Sequence, residues 1–373
     1  MKNPLSTSSF SGLQDSNGHR LGPEEFSFQN DRPNINLETG PSPLISIVIP
    51  TFNRPQLLIE RALRSALAQD YSPLEVLVVT DGPDPLTEAA LSAVHDSRLR
   101  ALTLPYNAGP SAVRNFGVQE ARGQWIAFLD DDDEWGPEKL TRQLECARQS
   151  SFSLPLVFSS WINRTPAGDT LNPPYLKGPT QTLGDYLLTR RSPKLPECSL
   201  TISMAFAPRS LLLLLPFAED LRKHEDWDWM LKAEQVPGVG VEQLPLGDSP
   251  ALAIYYHGEP RDFASRHTFW EPSLAWAESH RQADRLSDRA FAGFIVSQLA
   301  PFPAAAYDGR GFAALTRALA STRPGLYEWL RYFKLWAIPA PMRRSMKGYW
   351  RAAKRSLKSG KANYSTPLSK TPF

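Results

Sequence analysis

From Pro43 onward, short apolar runs alternate with amphipathic stretches. Leu44-Ile45-Ser46-Ile47-Val48-Ile49 is a β-branched run stopped by Pro50, the form of a strand buried on both faces. Beyond the turn Thr51-Phe52-Asn53-Arg54-Pro55, apolar residues at Leu58, Ala62, Leu63, Ala66 and Leu67 keep a helical period, predicting a helix over 57–69. The same reading predicts strands over 75–79, 99–104 and 125–129, with helices over 86–94 and 110–121 between them. Further on, it predicts a helix over 137–149, a strand over 156–161, a loop rich in Pro, Gly and Thr over 164–182 and a strand over 200–207. A short helix over 210–215, a helix opening at His224 and a last strand over 252–256, ending at His257-Gly258, complete this part.

The alternation β-α-β-α-β-α-β predicts an α/β fold with a doubly wound, mostly parallel sheet. Ligands of such sheets bind outside the carboxyl ends of the strands. The notable polar residues fall there: Thr51 and Asn53, Asp81, Asn107, then Asp130 to Asp133. Several strand ends converging on polar residues are what a nucleotide pocket requires. The last of these ends carries four consecutive carboxylates, which repel one another unless a cation or a ring of donors neutralises them. Oxygen-only ligands suit Mg²⁺ or Mn²⁺, which commonly share their remaining positions with substrate phosphates. The bland alternative is a solvated acidic turn ahead of a helix.

Residues 1–42, rich in Ser, Asn, Gly and Pro, read as a disordered tail, and 43–265 as the main domain, divided near 135 into a nucleotide half and an acceptor half. Residues 266–330 carry helical periodicity and read as a C-terminal helical appendage without assignable chemistry. In 331–373, eleven Lys and Arg stand without a single Asp or Glu, interleaved with Leu335, Trp336, Ile338, Met342 and Trp350. Such a segment suits an anionic membrane surface; nucleic-acid binding is the rival, and a solvated basic tail the third reading.

Composition changes little else. A net charge of +2 across 373 residues excludes nothing by itself. The two cysteines, Cys146 and Cys198, form no disulfide framework or metal spacing, which fits a reducing, cytoplasmic setting. No window has the length of a spanning helix and the N-terminus lacks a signal-peptide layout, so the expectation is a soluble protein, at most peripheral at an inner membrane face.

Four blocks together resemble the family-2 inverting glycosyltransferases of GT-A fold, across about 43–258. They are Val48-Ile49-Pro50-Thr51-Phe52-Asn53-Arg54; Asn107 to Gly117; Phe128-Leu129-Asp130-Asp131-Asp132-Asp133-Glu134-Trp135; and His224-Glu225-Asp226-Trp227-Asp228-Trp229. The resemblance implies a nucleotide-diphospho-sugar donor, with uracil the implied base, and a glycan or lipid-linked acceptor in cell-envelope polysaccharide assembly. By the same match the acidic run is a D-x-D element, with Asp132 the direct ligand of Mn²⁺ or Mg²⁺ and Asp130 or Asp131 facing the ribose or the metal's waters. Asp81 falls where the family hydrogen-bonds the base, although the family commonly has a second Asp where this chain has Thr80. Pro50, Thr51, Asn53 and Asn107 would line that pocket, and Arg114 would meet the phosphates or brace the aspartates. Asp226 matches the base that takes the acceptor's proton, with Glu225 orienting its loop. Trp227 or Trp229 could stack on an acceptor sugar, or both could be core. His257 aligns with a histidine that completes the metal or phosphate site in some GT-A enzymes, and its other reading is structural.

Two rivals stay open. A nucleotidyltransferase would need a Gly-rich basic loop after the first strand, which Pro50-Thr51-Phe52-Asn53 is not. A nucleotide-binding module without transfer activity would have no need of Glu225-Asp226.

Overall fold

The computed structural model describes residues 42–166, 168–189, 198–246, 252–256, 270–338 and 342. His257 and most of the basic segment lie outside the described residues. The strands run in chain order as β1 (Ile45–Thr51), β2 (Leu74–Thr80), β3 (Leu99–Thr103), β4 (Trp125–Phe128), β5 (Glu134–Trp135), β6 (Leu154–Phe158), β7 (Trp161–Thr165), β8 (Gly168–Asn172), β9 (Ala205–Pro208), β10 (Val239–Gln243) and β11 (Ala253–Tyr256). Seven form one sheet in the order β10-β6-β9-β4-β1-β2-β3. Only β9 runs antiparallel to its neighbours, β4 and β6, so the expected mostly parallel α/β sheet is the one the chain makes.

β1 and β2 are interior strands, flanked by β4 and β3, with Ile45, Ile47, Val48, Ile49, Val76 and Val78 all at 0% exposure, as their largely apolar runs require. The chain moves outward from β1 to β3, then returns to place β4 on the other side of β1. That reversal opens a crevice between the carboxyl ends of β1 and β4. The helix Pro110–Glu120 packs close to this centre because Gly117 has no side chain: a Cβ there would come within 2.5 Å of Val48 Cγ1.

A second sheet, β5-β11-β7-β8, adjoins the acidic run, since β5 follows Asp133 directly. Here the sequence reading needs correction. The stretch read as one strand over 156–161 is the end of β6 and the start of β7, in different sheets. The expected loop over 164–182 begins instead as the β7/β8 hairpin, closed by an exposed Arg164–Asp169 ion pair at 3.0 Å. β8 shows no apolar alternation because neither face is buried. The strand expected over 200–207 is confined to β9, preceded by a 3-10 turn at Ile202–Met204. β10, at the sheet edge, was not predicted. The helix expected over 57–69 starts earlier, at Pro55, and passes through a π-helical turn at Leu58–Leu63.

The helical appendage comprises Glu271–Gln282, Asp288–Phe294 with a π-helical turn Ile295–Leu299, Pro301–Ala305, Gly309–Ala320 and Leu326–Ala337. Phe291, Phe294, Ile295, Leu315 and Leu319 form its buried side. Among the described residues no helix is long and apolar enough to cross a membrane.

Candidate active site

An open cleft of about 1350 Å³ lies at the carboxyl ends of β1, β2 and β4. Every residue singled out above for donor, metal, base or acceptor contact lines it, except Trp229, which is buried, and His257, which is outside the described residues.

The turn after β1 is held from behind. Asn53 has φ +54°, and its amide donates to Asp84 Oδ2 at 2.9 Å. Asp84 also caps the helix Pro85–Ser92 by accepting from the Thr87 amide at 3.2 Å. The turn so fixed presents two side chains to the acidic run. Thr51 Oγ1 donates to Asp131 Oδ2 at 2.9 Å. Arg54 Nη1 donates to Asp131 Oδ1 at 3.1 Å and to Asp132 Oδ2 at 3.2 Å.

The four aspartates divide their work. Asp130, Asp131 and Asp132 face the cleft. Asp133 is fully buried and accepts from Ser203 Oγ at 2.9 Å, and the same hydroxyl accepts from the Asp130 amide at 3.2 Å. The bland reading of a solvated acidic turn therefore does not describe this loop. Burial pushes the Asp131 carboxyl up to about 7; Arg54 opposes that, while Asp132 adds to it.

Asp81 sits at the end of β2 with its carboxylate accepting from the amides of Ala108, at 2.7 Å, and Gly109, at 3.0 Å. Gly109 has φ +92°, a conformation that suits glycine, and it starts the helix that carries Arg114. Asp81 thus holds the Asn107–Gly109 loop while still lining the cleft. Asn107 Nδ2 donates to the Asp81 carbonyl at 3.4 Å.

Arg114, with 6% of its side chain exposed, joins two distant parts of the chain. Its Nη1 lies 3.1 Å from Asp226 Oδ1 and its Nη2 3.2 Å from Asp130 Oδ1. Of the two roles weighed for it, the ion pair with the aspartates is formed. Asp226 also accepts from the Ile202 amide at 3.4 Å. Burial pushes its carboxyl up to about 6; Arg114 opposes the rise, and Glu225 and Asp130 add to it. A partly buried carboxylate with such a value is suited to accept a proton near neutral pH.

Asp226 belongs to the helix Glu225–Ala233. His224 precedes it in the left-handed region, φ +67°, and its ring stacks between Trp227, at 5.8 Å, and Trp276 of the helical appendage, at 4.8 Å. Burial, with Lys223 adding, lowers His224 to about 3, so the ring is neutral at physiological pH. Trp227 lines the cleft, whereas Trp229 is 1% exposed and donates to the Leu215 carbonyl at 2.7 Å. Trp229 is core.

The donor set fits a hard divalent cation. Asp131 and Asp132 converge on one guanidinium nitrogen, which marks a position of positive charge shared by two carboxylates. Among the described residues no three or more His, Cys, Asp or Glu side chains are arranged to hold a metal by themselves. Two protein carboxylates, completed by phosphate oxygens and water, is an ordinary arrangement for Mg²⁺. Arg54, Ser203, Asp84 and the pair Asp228 and Trp276 are the site residues that sequence reasoning missed. Only Arg54, the last residue of the first block, and Asp228, inside the fourth, left a signal.

The model for Glycosyl transferase family 2 matches residues 46–212. Over 105 residues the chain is 41% identical to the succinoglycan biosynthesis protein ExoO of Rhizobium meliloti (strain 1021), covering 28% of this chain and 30% of that one. Over 95 residues it is 38% identical to the GalNAc(5)-diNAcBac-PP-undecaprenol beta-1,3-glucosyltransferase of Campylobacter jejuni subsp. jejuni, covering 25% and 30%. The chain therefore spans 30% of the length of each of these relatives. S. aureus TarS 1–349 in complex with UDP has a TM-score of 0.47 and 18% identity, over 85% of this chain and 91% of that chain.

Proposed function

We propose, from the premise that this chain belongs to glycosyl transferase family 2 through the domain at 46–212, that it transfers a sugar from a nucleotide-diphospho-sugar to an acceptor hydroxyl with inversion. The observation that carries this reading is Arg114, whose guanidinium holds Asp226 and Asp130 within 3.2 Å. The candidate base and a candidate donor-side carboxylate thereby flank one point, where attack and departure at a single carbon must meet. Asp226 takes the acceptor's proton as the new C–O bond forms, the bond from the anomeric carbon to the diphosphate breaks, and the diphosphate leaves with the electron pair. A divalent cation held by Asp131 and Asp132 would neutralise charge on the departing diphosphate. Thr51, Asn53, Asp81 and Asn107 would surround the nucleoside, taken as uridine, and Trp227 would offer its ring to an acceptor sugar.

The acceptor class proposed is a glycan or lipid-linked oligosaccharide. The printed names of the relatives, one in succinoglycan biosynthesis and one acting on an undecaprenol-diphosphate glycan, support it. Attachment to the inner face of a membrane would suit such an acceptor.

A thermal-shift series with uridine, guanosine and adenosine diphosphates, with and without Mn²⁺, tests the reading on the wild type and on Asp132→Ala. A ligand that binds only the folded state raises Tm by mass action. The expected result is a metal-dependent rise with one nucleotide, lost in Asp132→Ala. No rise with any of them would remove the proposal.

A further inference from the structure

Three cationic side chains line the cleft among the described residues: Arg54, Arg114 and Lys223. Two are committed. Arg54 lies between Asp131 and Asp132, and Arg114 between Asp130 and Asp226, all at 3.1 to 3.2 Å. Lys223 differs. Among the described residues it has no carboxylate partner, and burial alone lowers its pKa from the ordinary lysine value. Its ammonium stands 4.5 Å from the ring centroid of Phe302 in the helical appendage. A ring face steadies a cation but supplies no counter-charge, so a half-buried ammonium here has unused capacity for an anion.

Its place in the chain says which part of the cleft this is. Lys223 is three residues before Asp226 and next to His224, whose ring stays neutral; the other cation of that loop, Arg222, is exposed and does not line the cleft. Gln298, four residues before Phe302, lines the cleft from the same helical appendage. The nucleoside end, at Pro50, Asp81 and Asn107, is built from other elements, at the ends of β1 and β2 and ahead of the helix Pro110–Glu120.

We infer that Lys223, backed by Phe302 and with Gln298 nearby in the cleft, is a subsite for a phosphate group carried by the acceptor. This rests on the transferase reading for the word acceptor; that the subsite takes a phosphoryl anion rests on Lys223 alone. The acceptor class is thereby narrowed to a sugar on a phosphate or diphosphate, as opposed to a neutral glycan end.

Calorimetric titration of the full chain tests this with geranyl diphosphate as probe, geraniol as the uncharged control, and uridine diphosphate with Mn²⁺ as the donor-side arm. Lys223→Met is expected to weaken geranyl diphosphate about tenfold, the scale of one charge-assisted contact, and Lys223→Arg to recover most of it. Uridine diphosphate binding should be the same in all three proteins, which also shows that the variants keep a folded cleft. An equal loss of both ligands would give Lys223 to the donor diphosphate and overturn the inference. So would wild-type protein that fails to bind geranyl diphosphate, or binds geraniol as well. Loss of nucleotide binding in the wild type, with Lys223-dependent binding of geranyl diphosphate retained, would sink the transferase reading and leave a phosphate site standing.

Discussion

The indole N–H of Trp276 donates to Asp228 Oδ1 at 3.1 Å, and His280 Nε2 lies 2.8 Å from the same oxygen. Asp228 is two residues past Asp226 on one helix, so the helical appendage grips the element that carries the proposed base. The other grip is His224, stacked on the same Trp276 and 2.9 Å through Nε2 from Ser273 Oγ. The helices after 270 therefore have a task that no motif announced, which is to fix where the Glu225-Asp226 pair sits.

Trp276→Phe keeps a ring against His224 and removes the donor to Asp228. Leaving a buried carboxylate short of one donor costs on the order of 1–3 kcal/mol. The expected outcome is a Tm lower by a few degrees and a kcat about tenfold lower, with donor KM within about twofold of wild type. Steady-state kinetics against both substrates separates the cases. A lower Tm with kcat intact would mean that Trp276 only stabilises the fold.

If Asp226 is the base, as proposed, it sets the acid limb of activity. Burial raises its pKa to about 6, and a base must be ionised, so kcat/KM should fall as pH drops through about 6. Asp226→Asn should lower kcat by about 10²–10⁴-fold and abolish that limb. Stability runs the other way. A carboxyl whose folded pKa lies above its ordinary 3.8 contributes stability that is full below 3.8 and lost as pH rises through about 6. At pH 8, where Asn can still accept from Arg114, the variant should melt no lower than wild type. A marked drop in Tm would show that the ionised pair with Arg114 outweighs the burial of the charge.

Arg54 occupies the place between Asp131 and Asp132 that a divalent cation would take. Arg54→Met removes that competitor. Loss of Arg54 also lets the Asp131 carboxyl, already raised to about 7, rise further, so the comparison belongs at pH 9; there Mn²⁺ should bind about tenfold tighter to the variant without nucleotide, read by electron paramagnetic resonance of free Mn²⁺. Asp132→Ala should bind it more weakly than wild type. Tighter binding in neither protein would mean that the cation sits elsewhere in the loop.

What could be read from the chain alone was whatever is local. β1, β2 and β4 are largely apolar runs, and the residues at their ends had no other place to go than the crevice they form. The contacts between those residues were not local. Arg54 reaches Asp132 across 78 positions, Arg114 reaches Asp226 across 112, and Asp228 meets His280 across 52. Nothing in periodicity encodes such pairs. The β7/β8 hairpin escaped notice for a different reason: β8 is polar and solvent-facing, so burial imposed no alternation on it. Among the tryptophans, spacing could not separate Trp227 from Trp229, and packing did, by placing Trp229 against Phe217 at 5.2 Å.

The helix Leu326–Ala337 turns an apolar stripe outward. Leu326 is 75% exposed, Leu330 60% and Phe333 47%, at the spacing of one helical face, while Tyr332 on the other side is fully buried. Trp336, read from sequence as an outward anchor, instead packs on Phe312 at 5.0 Å. The residues that would meet a bilayer are thus the stripe, not the tryptophan. From Arg331 to the end of the chain eleven Lys and Arg occur with no Asp or Glu, so anionic lipid is the surface with matching charge. Burying half of a Leu and half of a Phe contributes on the order of 2 kcal/mol. Leu330→Asp combined with Phe333→Asp should therefore weaken flotation with phosphatidylglycerol vesicles by at least about tenfold, and wild-type binding to pure phosphatidylcholine should be weak at any salt. Unchanged flotation of the double variant would leave the basic segment alone responsible. Equal binding to both lipids would remove the electrostatic part of the argument.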